Sequence, residues 1–157
     1  MDQSVIEPAL ANVANAAPAA ETGRFDLYVN IHKALRLYMT DTLVRVGRMD
    51  PVDDDELAGA LGQLRDLLEI CDLHIEDENR FVHPAIELRR PGSSERIADE
   101  HVSHGHAIAA RRRDAAALER CDSASRPHAA LALYRGLALF VAENFEHMHY
   151  EETRLMP

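Results

Sequence analysis

Four long stretches of the chain repeat apolar residues at alternating spacings of three and four, the period of a helix that buries one face. The first, from about Gly23 to Arg48, carries Phe25, Tyr28, His32, Leu35 and Met39 on that face and stops near Met49-Asp50-Pro51. The second opens at Asp53, where Asp53 and Glu56 have capping-box spacing, and runs to about Arg90. Its face reads Leu57, Leu61, Leu64, Leu68, Cys71, then His74 or Ile75, then Glu78 and Phe81. Pro84 removes a backbone donor and crowds the preceding turn, so a kink or interruption is expected there. Pro91-Gly92-Ser93-Ser94 separates a third helix, about Glu95 to Glu119, bearing Ile97, His101, His104, Ile108, Ala115 and Leu118. After the loop Cys121–Ser125, the pair Ser125 and Pro127 starts a fourth, with Leu133, Leu137, Phe140, Asn144, His147, Glu151 and Leu155 inward.

Short connections between long amphipathic helices imply antiparallel neighbours. The expected fold is therefore all-α, an up-down-up-down antiparallel four-helix bundle over residues 23–157, with an N-terminal tail over residues 1–22 that lacks sustained periodicity. A chain of 157 residues is long enough for one domain with a real core, and the absence of Trp and scatter of β-branched residues fit helices better than strands. A net charge of -10 would repel both a phosphate backbone and an anionic membrane surface, which excludes nucleic acid and membrane as partners. The run Arg111-Arg112-Arg113, beside Asp114 and Glu119, reads as a solvated helix face. Residues 1–22 carry Asp2, Glu7, Pro8 and Pro18 and no basic leader pattern, so a cytoplasmic location is expected, with Cys71 and Cys121 as thiols.

Polar residues interrupt the buried stripes, and they are of one kind. Every helix turns at least one histidine inward, and Glu78 and Glu151 arrive with them. A buried carboxylate costs several kcal/mol unless it is paired or coordinates a cation. A shared cation resolves that cost. At about 1.5 Å per residue, His32, His74 with Glu78, His101 with His104, and His147 with Glu151 all fall near the same end of an antiparallel bundle. The pairs His74-x-x-x-Glu78 and His147-x-x-x-Glu151 each share one helix face. His83-x-x-x-Glu87 has the same spacing, but His83 follows His74 by about half a turn of helix and is expected at the surface. His106, His128 and His149 are likewise expected in solvent, whereas Cys71, Tyr28, Phe81 and Phe140 read as core.

The segments Ile31-His32-Lys33-Ala34-Leu35-Arg36, His74-Ile75-Glu76-Asp77-Glu78 leading to His83-Pro84, Glu100-His101, and His147-Met148-His149-Tyr150-Glu151-Glu152 leading to Met156-Pro157 resemble the bacterial hemerythrin-like, or HHE cation-binding, proteins. The resemblance spans about residues 24 to 157 and rests above all on the repeated His-to-Glu unit followed by proline. It implies metal ligation by His32, His74, Glu78, His101, His147 and Glu151, with the two glutamates bridging two irons. Oxygen-carrying members place a further histidine four residues after the third-helix ligand, where this chain has Gly105; His104 is the substitute and the fifth nitrogen donor. Two six-coordinate ions offer about twelve positions, of which five imidazoles, two bridging carboxylates and a shared oxo or hydroxo bridge fill about eleven. The remaining one suits dioxygen, nitric oxide, peroxide or water. The implied function is binding or sensing of dioxygen, nitric oxide or iron. Alternatives are a di-iron enzyme acting on peroxide or dioxygen, and a helical interaction bundle with a degenerate site. Zinc and manganese suit the same donors, and a homo-oligomer or a signalling partner stays open.

Overall fold

The computed structural model describes residues 27–155, so the expected tail over residues 1–22, the start of the first helix with Phe25, and Met156-Pro157 lie outside the described residues. Within them the chain forms four long helices and no strand. Helix α1 spans Val29–Arg48 and α2 spans Asp54–Asp77; α2 continues through a π-helical turn, Glu78–Val82, into a short α3, His83–Glu87. The third and fourth long helices are α4, Glu95–Arg120, and α5, Arg126–Tyr150, the latter prolonged by a second π-helical turn, Glu151–Leu155.

Local chemistry sets the boundaries. Asp53 Oδ1 accepts from the backbone N–H groups of Asp55 and Glu56 at 2.9 and 3.0 Å, satisfying two donors that the start of α2 would otherwise leave free. The capping box is only half formed, because Glu56 Oε2 accepts from Asp50 N–H at 2.8 Å instead of reaching back to Asp53. Glu87 organises the turn between α3 and α4, accepting from Gly92 N–H, Ser94 N–H and the Ser94 hydroxyl at 2.6, 2.8 and 2.7 Å. Gly92 supplies the left-handed conformation of that turn, φ 81°.

Pro84 does not end the second helix. Its missing N–H leaves the carbonyl four residues earlier without its usual donor, and the chain responds upstream with the wide turn, in which His83 N–H bonds Glu78 C=O. A wide turn advances each residue by less than 100°, which corrects two expectations. His83 lags round the helix and is buried, 6% exposed, rather than at the surface. Phe81 is rotated out of the core and is 58% exposed, with the Arg80 guanidinium over its ring.

Around the bundle, α1 packs against α2 and α5, and α4 packs against the same two. Leu35, Met39, Leu61, Leu64, Leu68, Ile108, Leu118, Leu133, Leu137 and Phe140 form the continuous core, each contributing on the order of 1.5–3 kcal/mol by leaving water. A polar tie joins α1 to α2, where Gln63 accepts from Arg45 and donates to Asp41 and Thr42. Cys71 and Cys121 are free thiols, and among the described residues no helix is long and apolar enough to cross a membrane.

Leu64 is fully buried, whereas Leu139 is 66% exposed. Leu64→Ala should therefore cost about 2–5 kcal/mol in urea unfolding through a cavity in the core, and Leu139→Ala should change stability by less than about 0.5 kcal/mol.

Candidate metal centre

Beyond Leu35 and Cys71 the apolar core gives way to a layer of imidazoles and carboxylates. Buried apolar neighbours hold each of these side chains inward by the same helical period that buries the leucines. His32 comes from α1, His74 from α2, and Glu78 from the first residue of the π turn that follows it. His101 comes from α4, His147 from α5, and Glu151 from the first residue of the second π turn. Both carboxylates thus stand at the start of a wide turn, each four residues after a histidine.

Six of the seven expected ligands fall into two groups that could each hold a metal ion. His32, His74, Glu78 and Glu151 form one, and Glu78, His101, His147 and Glu151 the other, with the donor atoms of each group within 4.8 Å of one another. Both glutamates belong to both groups, and their oxygens are divided between them. Glu78 Oε1 lies 3.9 Å from His32 Nε2 and 3.4 Å from His74 Nε2, while Oε2 lies 3.3 Å from His101 Nε2. Glu151 Oε2 lies 3.5 Å from His32 Nε2 and Oε1 lies 3.4 Å from His147 Nε2. Both oxygens of Glu78 and of Glu151, and Nε2 of His32 and His74, are buried without a hydrogen-bond partner, a costly arrangement unless a cation sits among them.

The outward nitrogens of three rings are spoken for. His32 Nδ1 is 3.1 Å from Glu152 Oε1, and Arg36 clamps Glu152 with two bonds of 2.7 and 3.0 Å. His147 Nδ1 is 2.8 Å from Glu100 Oε2, and Glu100 is held by Arg96 Nε at 2.7 Å, whose guanidinium lies over the Tyr150 ring. His101 Nδ1 is 2.9 Å from Asn79 Oδ1. These acceptors place the proton on Nδ1 and leave the Nε2 lone pair facing the centre. For His101 and His147 the two Nε2 atoms are only 3.1 Å apart, so two lone pairs meet there, an arrangement a cation relieves.

His104, the seventh expected ligand, lies outside both groups. It is buried, its ring meets that of His147 edge-on at 4.6 Å, and its Nδ1 has no partner. On one side of it runs a solvent-open groove of about 290 Å³ lined by Arg96, Glu100, Glu143 and Glu146; on the other is an enclosed space of about 10 Å³ bordered by Leu35, Met39, Cys71 and His74. The smaller space is about one water-sized sphere. His83 stacks on His101 with ring centres 4.9 Å apart and 14° between planes, and its Nε2 is also unpartnered.

The sequence reading missed His83 and the supporting residues Asn79, Glu100 and Glu152. A signal for the latter existed, since each is the immediate neighbour of an expected ligand. His83 had none before the π turn was known.

Proton positions follow from burial and proximity. Burial, and then the nearby charges of Glu78, Glu100 and Glu152, push Glu151 up to about 9. Burial acts on Glu78 in the same direction, whereas hydrogen bonds from His101 and His32 and the charge of His74, in the states in which those rings turn a proton to its oxygens, pull it down. Of the two carboxyls, Glu151 is the one whose surroundings favour a proton. Burial lowers His147 to about 4 and lowers His74, His83 and His104 as well.

These directions fix a pH profile for the metal-free protein. The lowered histidines stabilise the fold above their unfolded value of about 6.5, and this is lost as pH falls toward 4. Glu151, raised, contributes stability below about pH 4.5 that is lost as pH rises toward 9. The melting temperature should peak near about pH 6.5 and fall on both sides. A bound divalent cation displaces the Glu151 proton, so metal should abolish the alkaline decline, and titration calorimetry in two buffers of different ionisation enthalpy should register proton release.

A scan against protein-family models, a search of curated proteins and a search of solved structures each returned no match, so the functional reading rests on the sequence motifs and the geometry of this site.

Proposed function

We propose that the chain is a non-haem di-metal protein of hemerythrin-like type, a cytoplasmic up-down-up-down antiparallel bundle that holds two irons and binds or senses dioxygen, nitric oxide or iron. The observation that carries this reading is the division of each buried carboxylate between two sets of imidazoles. A single cation would leave an oxygen of each glutamate uncompensated, whereas two cations, one per group, compensate all of them. Short connections and the packing of each long helix on two neighbours support the antiparallel course.

Iron suits the donor set, as do zinc and manganese, and the sequence resemblance favours iron. Two irons bound there would supply reversible redox chemistry and an exchangeable coordination position. The chain's part is to aim and to insulate. Glu152 and Glu100 keep the Nδ1 protons of His32 and His147, Glu78 and Glu151 neutralise charge, and Leu35, Met39, Ile75 and Met148 exclude water. His104 is the fifth nitrogen donor in this reading, because its buried Nδ1 has no partner and its ring lies edge-on against that of His147. The alternative of a di-iron enzyme acting on peroxide or dioxygen draws on the groove beside His104, which would admit a substrate from solvent.

Protein purified without added metal should contain about two irons per chain and show the near-ultraviolet absorption of a bridged di-ferric centre that disappears on reduction. Binding of dioxygen to the reduced protein would support the carrier or sensor, turnover of peroxide the enzyme, and metal content near zero would sink both. In His104→Ala both ions should be retained with an altered spectrum, because one ion gains an exchangeable position. An unchanged spectrum would remove His104 from the ligand set.

A further inference from the structure

The supports of the imidazoles follow one rule around the bundle. Asn79, in the turn after α2, holds His101 of α4; Glu100 of α4 holds His147 of α5; Glu152, in the turn after α5, holds His32 of α1. In each case the support is the sequence neighbour of a metal-facing residue, Glu78, His101 or Glu151. One residue faces the centre and its neighbour in sequence, after Glu78 and Glu151 but before His101, faces the imidazole of the adjoining helix. The helices pack in the same cyclic order, α1 on α2, α2 on α4, α4 on α5 and α5 on α1.

A fourth step, from α1 to His74 of α2, would close the ring, and it is missing. The neighbours of His32 are Ile31, which has no polar side-chain atom, and Lys33, whose ammonium only donates. Lys33 lines a groove with Phe145 of α5, and Ile31, about 200° round the helix from it, occupies the other side. His74 Nδ1 meets no acceptor among the described residues. The His74 side chain is 14% exposed, against 0%, 2% and 5% for His32, His101 and His147.

Resting on the two-metal reading, we infer that His74 is a labile donor and that the two metal positions differ in grip. The position bounded by His101 and His147 retains its ion, and the position bounded by His32 and His74 exchanges a divalent cation with the surroundings. An imidazole that already donates its outer N–H to a fixed acceptor has its tautomer and ring plane set before metal arrives, and it is the stronger base. His74 must settle both on binding. Loss of one such support typically weakens metal binding by about 10–100-fold, and both imidazoles of the retained position are supported where only one of the exchanging position is.

The test uses the full chain loaded with cobalt(II) under nitrogen, followed by its visible absorption after addition of excess chelator. Two ions should leave in two phases of equal amplitude whose rates differ by about tenfold or more. Glu100→Gln should speed the slow phase by about tenfold and leave the fast phase unchanged. His74→Ala should retain only the slowly released ion. Ile31→Glu, which offers His74 the missing acceptor, should slow the fast phase by about tenfold. Release of both ions in a single phase, acceleration of the fast phase by Glu100→Gln, or a fast phase untouched by Ile31→Glu would each overturn the inference while leaving two metals in place. Fewer than two cobalt ions per chain would instead remove the two-metal reading, and this inference with it.

Discussion

Two carboxylates buried near one another between the helices, toward one end of the bundle, set the terms for everything near them. Glu78 and Glu151 are 3% and 0% exposed, and without compensation they repel one another in a medium that screens poorly. The surroundings of Glu151 favour a proton there, which relieves the repulsion, and imidazoles surround both side chains. That relief is incomplete, because both oxygens of each remain without a hydrogen bond. The arrangement could hold positive charge, with the histidines, their supports and the apolar residues disposed around it.

The two π turns are part of the same design. Each begins on a buried glutamate, four residues after a histidine and six residues before a proline, Pro84 in one case and Pro157 in the other. Widening the helix there re-aims the side chains that follow without breaking the helix axis. In the second helix the consequence is visible on both faces, as His83 moves in against His101 while Phe81 moves out. The backbone irregularity thus sits where the chemistry is, and the regular turns of α1 and α4 serve as the fixed frame against which it is set.

The supports also connect the centre with the surface. Arg36 and Glu152, and likewise Arg96 and Glu100, are partly exposed, and as isolated surface pairs they would add little stability. Their role is geometric. Each arginine fixes a carboxylate that in turn fixes an imidazole, so a surface charge at the α1–α5 or α4–α5 seam bears on the tautomer of a buried ring. Asn79 does this for His101 with a neutral amide, which leaves the centre unevenly supported from one helix to the next.

The helices and the inward position of most of the donor set were legible in the chain because helical period is a local property: His32, Glu78, His101, His147 and Glu151 recur in step with leucines whose burial needs no knowledge of the partner helix. The half-formed capping box at Asp53 and the turn built on Glu87 were legible only in outline, since Glu56 and Glu87 each had several backbone donors within reach. The spacing of an ideal helix through Pro84 puts His83 outside and Phe81 inside, and the widening that exchanges their faces is a response of the backbone rather than a pattern in the residues. Nor could spacing show which oxygen of Glu78 meets which imidazole, or that Glu152 reaches His32 across the bundle. Such contacts join different helices, in the case of His32 and Glu152 residues 120 positions apart, and only the packing of four helices at defined distances and rotations decides them.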